Sequence, residues 1–531
     1  MTNMFKERSL NVIEDFSIEE RRYFFRKCAE LKKAIETNDK ATMDKFRIND
    51  PDFGIYEVFL ENSTRTKESF RNAAEFHHVK VSELLCSSSS INKGESYADT
   101  FNMLAGYRNM IFIVRSTVEG LTKWLSEETA EYAERNGLPY KPSFINAGDG
   151  KHEHPTQELL DEFTFLEDNG MSFESIHVAL VGDLYHGRTV HSKVDGLKLF
   201  DKVKVDLIAP EELMMPEHYI EEMKENGFDV RIYASIEEYL NQADVAKMWY
   251  FTRPQLERMG EKILQKAPVL REAITFKKEF MDRVDPATKF YHPLPRHKEH
   301  PTIPTFLDKT SFNGWERQAI NGYYCRIVLI SILAGVIGDD YDGPAREKKD
   351  YKTEDYIVEV QPSQEKKNDD KNYSEGVRPI ANGIVIDHIC KGDTPNEIRN
   401  HMRLIASVLN IDDGKGGEWV SSGKDGSYKG IIFRPGEYEF TRKDLKRLAA
   451  LAPNCTLNIV KDGKVSKKFR THTPPRIYNF EDLCCSNEAC ISHPVNGEGV
   501  PAKFHRTHDG QFQCAYCGRV HSFKEIWNKA R

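Results

Sequence analysis

Glu61-Asn62-Ser63-Thr64-Arg65-Thr66-Lys67-Glu68-Ser69-Phe70 is the stretch on which fold and chemistry both turn. Before it, Gly54 to Leu60 (GIYEVFL) is dense in β-branched and aromatic residues and reads as a buried strand. After it, KESFRNAAEF carries helix formers with spaced aromatics. Ser63, Thr64 and Thr66 therefore sit where a strand ends and a helix begins. The unpaired N–H groups of a first helical turn and the positive end of its dipole favour an anion there. Three hydroxyls and the planar fork of Arg65 make phosphate the natural ligand. An ordinary Ser/Thr cap, with Arg65 in solvent, is the competing reading of this stretch alone.

Outward from it the pattern repeats. Strand-like runs at 79–86 (VKVSELLC), 109–115 (NMIFIVR) and 143–150 (SFINAGDG) alternate with helical stretches. A second set follows at 176–183, 203–210, 229–235, 244–251 and 289–296. Strand–helix alternation of this kind predicts parallel sheets covered on both faces, with ligands beyond the carboxyl ends of the strands. Polar clusters fall at those ends: Ser89 to Glu95, Arg115, Gly148 to Gln157, Gly182 to Thr189, Thr252 to Gln255 and His292 to Arg296. Residues 10–36 read as a helix with a capping box at Ser17–Glu20, and 316–338 as a closing helix. Residues 339–375 turn polar and mixed in charge, as a linker does. Beyond it, strands RPIANGIVIDHI and YKGIIFRPG, helices capped at Thr394 and Thr441, and a hairpin around Asp462-Gly463 predict an α+β domain.

The 531 residues imply three or four domains. A net charge of −8 argues against nucleic acid or an anionic membrane as general partner, and no apolar run is long enough to span a bilayer. A cytoplasmic enzyme is the expectation. Five of the ten cysteines lie in the last fifty residues. Cys485-x4-Cys490 and Cys514-x2-Cys517 offer four thiolates in two close pairs, the pattern of a closed, structural zinc site, with Cys484 an unligated neighbour.

Taken in order, ENSTRT (61–66), SINKGE (90–95), HPTQ (154–157), GDLYHGRTVHS (182–192), TRPQLER (252–258) and HPLPR (292–296) resemble the aspartate carbamoyltransferase family. The chain is similar to a catalytic chain (1 to about 338) fused to a regulatory chain (about 376 to 531). The resemblance implies a carbamoyl-phosphate lobe at 1–160 completed by 316–338, an aspartate lobe at 161–315, a nucleotide-binding-like domain at 376–472 and a zinc domain at 473–531. The implied reaction carries a carbamoyl group from carbamoyl phosphate to L-aspartate, a step of pyrimidine synthesis needing neither catalytic metal nor organic cofactor. By motif, Ser63, Thr64, Arg65 and Thr66 hold the phosphate. Thr66, Arg115 and His154 address the carbamoyl oxygen, and Gln157 with the Leu294 carbonyl takes the amino group. Arg188, Arg253 and Gln255 hold the aspartate carboxylates, while Ser89 and Lys93 come from a neighbouring subunit, so a homotrimer with shared sites is implied. Asn92 and the Ser-Thr after Arg115 depart from the family pattern without removing a ligand. For nucleotide effectors such as CTP or ATP, Asp387, His388 and Lys468 match. A second nucleotide-binding lysine is replaced near Phe433, with Lys429 and Arg434 close by, which leaves nucleotide control open.

Ornithine as acceptor is the nearest rival, but Pro293 and TRPQLER lack that family's Cys and Ser-Met-Gly signatures. A non-catalytic scaffold would have no need of Arg65, Lys93, Arg115, His154, Arg188 and Arg253 together. His186 and His191 read as local polar contacts and Arg296 as a brace of its loop or of domain closure; His152, Glu153 and His154 taken alone could be a surface cluster or a metal pair, but only His154 sits in the motif. Leu294-Pro295 is a candidate cis bond.

Overall fold

A computed structural model of the chain describes residues 3–84, 91, 94–256, 261–346, 356–361, 380–392, 394–412, 414–422, 426–478, 480 and 483–527. By internal contacts it forms two compact units, Met1–Glu347 with Asn487–Val500, and Lys348–Ser486 with Pro501–Arg531.

In the first unit, strands β1 (Gly54–Phe59), β2 (Lys80–Leu84), β3 (Asn109–Ser116) and β4 (Ser143–Asp149) form a parallel sheet in the order β2-β1-β3-β4. Strands β5 (Ser175–Val181), β6 (Lys202–Ile208), β7 (Asp229–Tyr233), β8 (Met248–Phe251) and β9 (Lys289–Tyr291) form another, β7-β6-β5-β8-β9, also parallel. Their central strands are apolar on both faces: Ile111–Val114 and Val178–Val181 are buried. Each sheet reverses its direction of growth once, between β1 and β3 and between β5 and β8. A crevice opens beyond the strand ends at such a reversal. The chain after β1 and β3 is Leu60–Thr66 and Thr117; after β5 and β8 it is Gly182–Arg188 and Thr252–Gln255.

The helix Ile18–Glu36 starts later than its sequence pattern predicts. Ser17 Oγ accepts the Glu20 N–H and the Glu20 carboxylate accepts the Ser17 N–H, completing the capping box. Residues before it are drawn away from helix because Leu10 bonds along the edge of β4, accepting from Asn146 N and donating to Phe144 O. The closing helix, Trp315–Ala334, is buried over most of its length against helices Pro155–Asp168, Thr64–Phe76 and Ile18–Glu36. It ends at Gly335 (φ +77°), a left-handed cap.

Described residues within the expected linker make specific contacts. Asp340 accepts from Tyr23 Oη (2.5 Å) and Lys27 Nζ (2.7 Å), fixing its start to the first helix. Further on, β10 (Ile357–Glu359) is the edge strand of the second unit's six-stranded antiparallel sheet. That sheet runs β10-β15-β14-β11-β13-β12, with β11 (Gly383–Gly392), β12 (Gly417–Ser422), β13 (Tyr428–Pro435), β14 (Thr456–Lys461) and β15 (Lys464–Thr471). Asp462 and Gly463, both at positive φ, make the hairpin turn between β14 and β15. Helices Pro395–Val408 and Arg442–Leu451, capped by Thr394 and Thr441, belong to the same unit. The helices bury Ile398, Met402, Ile405 and Leu448, and the sheet buries Ile384, Ile386 and Ile432. A small antiparallel sheet follows: β16 (Arg476–Tyr478), β17 (Lys503–Arg506), β18 (Phe512–Cys514) and β19 (Val520–His521). No described helix is long and apolar enough to cross a membrane.

One buried imidazole ties the fold to pH. His77 ends the helix Thr64–Phe76 with Nε2 3.2 Å from Ile327 O, and burial lowers its pKa to about 3. The unfolded imidazole takes its proton near pH 6.5 while the folded one does not, so stability is full above 6.5 and is lost as pH falls towards 3. Between pH 6.5 and 4 the slope should be about 1.4 kcal/mol per pH unit for this group. Thermal melts across that range should fall less steeply for His77→Gln than for the parent chain, whatever the absolute midpoints.

Candidate active site

The reversals of the two parallel sheets open on one cleft of about 710 Å³. Glu61–Thr66, Ser69, Arg115, Gly150, Lys151, His154, Gln157, His186–Thr189, Thr252, Arg253, Gln255 and His292–Pro295 line it, with Gln318 and Arg326 from the closing helix. Six of the lining side chains are cationic (Arg65, Arg115, Lys151, Arg188, Arg253, Arg326) and one, Glu61, is a carboxylate. Such a site suits a ligand of high negative charge.

At the start of helix Thr64–Phe76, Ser63 is the N-cap in an extended conformation (φ −156°, ψ 104°), yet its side chain makes no capping bond. The hydroxyl is thus not spent on the helix. Thr66 is buried in the first turn, and burial lowers the pKa of the Arg65 guanidinium from its ordinary value. Arg115, at the end of β3, donates from Nη1 to Ala147 O (3.0 Å) and pairs through Nη2 with Glu61 (2.8 Å). Arg188 donates to Gly150 O from the start of a short helix. Gly148 lies between the two arginines at φ +116°; a Cβ there would stand 2.7 Å from Arg115 Nη1 and 3.3 Å from Arg188 Nη2.

His154 is the N-cap of helix Pro155–Asp168, buried, with Nδ1 3.3 Å from Thr156 Oγ1. Burial first, then Arg188, Arg115 and Arg326, hold its pKa well below the usual histidine range. It is a neutral imidazole in a cationic cleft, able to donate one hydrogen bond. Gln157 Nε2 donates to Asp161 (2.9 Å), and Gln255 Nε2 to His186 O (3.3 Å). Leu294-Pro295 is cis, and Leu294 has φ +55°. Ser89 and Lys93 lie outside the described residues.

Arg326 has no counterpart in the sequence-derived set. It is buried, Nη1 donates to Ser69 Oγ (2.6 Å), and burial lowers its pKa to about 10. No ion pair to it occurs among the described residues. Nothing in the local pattern around Arg326 (YYCRIVL) marks it; only the packing of the closing helix brings it to the cleft. Arg296, His186 and His191 make local contacts of the kind their sequence setting suggests. Arg296 braces its loop through Asp308 (2.6 Å) and Ile303 O, stacked over Trp315. His186 meets Asp183 and His191 meets Leu184 O. His152 pairs with Asp149, and Glu153 accepts from Ile13 N, so the 152–154 cluster does not converge.

Cys485, Cys490, Cys514 and Cys517 are all buried and unbridged, their sulfurs within 4.8 Å of one another. Cys485 and Cys517 sulfurs are 3.7 Å apart. A tetrahedron with metal–sulfur bonds of about 2.3 Å has sulfurs about 3.8 Å apart, so the four thiols fit one metal ion. Cys484 is buried but outside this group. His521, missed in the sequence, places Nε2 3.3 Å from Cys485 Sγ while Nδ1 meets Ser486 Oγ (2.9 Å). In the six-stranded sheet, cross-strand register sets Phe433, Val385, Asn458 and Lys468 in one row, with Asp387 two residues along from Val385. All lie on the face opposite the buried Ile384, Ile386 and Ile432. His388 (φ +63°) follows Asp387 at a register irregularity. Arg434 points the other way: buried, it pairs with Glu418 (3.0 Å) and donates to Ile411 O and Gly417 O. It cannot stand in for a nucleotide-binding lysine, because the sheet's alternation turns it inward.

Gly148→Ala should push Arg115 aside and lower kcat/KM about a hundredfold, and should also lower the melting temperature, because an alanine at φ +116° is strained; steady-state kinetics beside a thermal melt checks this.

Family models for the aspartate/ornithine carbamoyltransferase carbamoyl-P binding domain and Asp/Orn binding domain match residues 8–167 and 174–333. Those for the allosteric and metal binding domains of the aspartate carbamoyltransferase regulatory chain match 375–472 and 475–527. Protein PyrBI of Treponema denticola is 66% identical over 534 residues, covering 100% of each chain, and Protein PyrBI of Thermotoga maritima 54% over 532 residues, covering 99% of this chain and 100% of that one. Among solved structures, aspartate transcarbamoylase from Trypanosoma cruzi in complex with N-(phosphonacetyl)-L-aspartic acid is 26% identical with a TM-score of 0.53, covering 62% of this chain and 97% of its own. The catalytic subunit of M. jannaschii aspartate transcarbamoylase is 28% identical with a TM-score of 0.53, covering 62% and 98%. With both catalytic and both regulatory models matched on one polypeptide, and full-length relatives of the same build, the chain belongs to the aspartate carbamoyltransferase family as a fusion of catalytic and regulatory chains.

Proposed function

We propose that the cleft divides among its residues the reaction of its family, transfer of the carbamoyl group of carbamoyl phosphate to L-aspartate in pyrimidine biosynthesis. The observation that carries this is the six cations and single carboxylate converging where both sheets reverse. Ser63, Thr64, Arg65 and Thr66 take the phosphate at the helix N-terminus. Arg188, Arg253 and Gln255 take the two carboxylates of aspartate. The amine then attacks the carbonyl carbon, a C–N bond forms, and negative charge grows on the carbonyl oxygen. Thr66 Oγ1–H, Arg115 and the neutral His154 stabilise that charge. Gln157 and the Leu294 carbonyl hold the carbamoyl amino group. As the intermediate collapses, the C–O bond to phosphate breaks and the departing phosphate accepts the proton lost from the amine. Holding two anions in attack geometry supplies most of the rate, so no nucleophilic side chain is required.

The division into a carbamoyl-phosphate lobe (1–160 with 316–338), an aspartate lobe (161–315), an effector domain (376–472) and a zinc domain (473–531) is part of the same proposal. So is a homotrimer in which a neighbour lends Ser89 and Lys93, working in the cytoplasm. The metal is zinc, one per chain, with a structural role: four thiolates leave no open position. CTP or ATP would meet Asp387, His388 and Lys468 on the open face of the sheet, short of one cation where Phe433 stands.

Arg65→Ala should lower kcat/KM by about a thousandfold or more, with the mass in solution unchanged; near-normal turnover would refute the phosphate assignment. Assays with aspartate, ornithine and N-acetylornithine should show turnover with aspartate alone. Elemental analysis should find one zinc per chain, and Cys517→Ser should lose it together with the thermal stability of the tail, since such ions contribute about 10–16 kcal/mol to folding.

A further inference from the structure

Three donors converge on one buried carboxylate beside the cleft. Asp161, in helix Pro155–Asp168, accepts through Oδ1 from Gln157 Nε2 (2.9 Å) and Gln318 Nε2 (2.6 Å), and through Oδ2 from Lys193 Nζ (2.9 Å). Lys193 is fully buried and also meets Glu158 (2.5 Å); burial works against its charge, but the two carboxylates outweigh it and leave its pKa raised. A carboxylate only accepts, whereas a primary amide has a donor end and an acceptor end. Each glutamine that gives its –NH2 to Asp161 must therefore turn its carbonyl the other way. Gln157 lines the cleft, so its Oε1 is the end offered there. Gln318 Oε1 accepts the His292 N–H (2.8 Å), and His292 Nδ1 in turn accepts the Leu294 N–H (2.8 Å), which sets the turn that carries the Leu294 carbonyl.

We propose that Asp161, clamped by Lys193, is a positioning residue that aims two acceptors, Gln157 Oε1 and through Gln318 and His292 the Leu294 carbonyl, at the amino group of the donor. It thereby makes the site select a carbamoyl over an acetyl phosphate. This rests on the reading of Gln157 and Leu294 as the amino-group ligands. A methyl in place of –NH2 would leave both acceptors unpaired on closure, a situation that sites built for hydrogen bonding reject strongly. Lys193 makes the arrangement directional. If Asp161 becomes an amide, the ammonium keeps the oxygen of the new side chain on its own side, so the new –NH2 faces both glutamines and forces them to turn.

The test uses the full chain and two inert isosteres, phosphonoacetamide (–NH2) and 2-oxopropylphosphonate (–CH3), with Kd measured by calorimetry. The parent chain should prefer the amide. Asp161→Asn should cut that preference about tenfold, chiefly by weakening phosphonoacetamide, and adding Lys193→Met should return about threefold, because the new amide can then turn its oxygen to the glutamines. A merely structural role would weaken both ligands alike and show no return. A folded Asp161→Asn chain that keeps the ratio, or loses affinity for both ligands in proportion, overturns the proposal. Should that variant not fold, Gln318→Met cuts the path to His292 and decides the matter: a reduced ratio supports it and an unchanged one overturns it. If the parent chain binds both isosteres alike, the assignment of Gln157 and Leu294 itself fails and the proposal with it.

Discussion

Guanidinium groups crowded into a half-buried crevice repel one another, and the catalytic half of this chain is built around holding them there before any anion arrives. Arg115, from the end of β3, and Arg188, from the chain after β5, approach the same point beside Gly148. Arg115 is tied to Ala147 O and to the Glu61 carboxylate, and Arg188 is tied to Gly150 O. Carbonyl acceptors orient a guanidinium without cancelling its charge, so the positive field is left for the ligand. In so desolvated a place that field is worth far more than on the surface. Burial first, and that field after it, keep His154 neutral, which makes the imidazole a donor that does not add to the repulsion.

Helix Pro155–Asp168 turns His154 and Gln157 towards the cleft while Glu158, Asp161 and Glu162 stay inside the protein. Those acids meet Lys193 and Arg21, which come from elements following β5 and from the first helix. Such pairs contribute little net stability compared with apolar packing, but removing one partner costs about 3–5 kcal/mol. They fix where the first turn of that helix points, and with it His154 and Gln157.

At the other end of the chain the same alternation rule decides what a cation can do. Lys468 and Arg434 look equivalent as basic residues on strands, yet one stands on the open face of the sheet and the other is consumed inside it. The four cysteines show the reverse case, where close pairs in sequence become one cluster because small sheets and tight turns leave thiols few other places to go.

Strand ends, helix caps and the cysteine spacing were decided locally, by residues within a turn or a strand of one another, and so the sequence alone determined the parallel sheets, the helix start at Ser63 and the cysteine cluster. The same locality explains the boundary errors: Leu10 is bonded to the edge of β4, which leaves only the 3₁₀ turn Ile13–Asp15 before the helix, and the polar run expected as a linker yields β10 once β15 offers it an edge. Arg326, His521 and the set Asp161, Lys193 and Gln318 were settled only by tertiary structure. A buried charge or amide acquires its meaning from its partners, and Arg326 meets Ser69 across 257 residues of chain, Gln318 meets Asp161 across 157 and Lys193 meets Asp161 across 32. No local pattern records such a pairing, because it is the packing of distant helices that removes water and leaves each polar atom only protein partners to find.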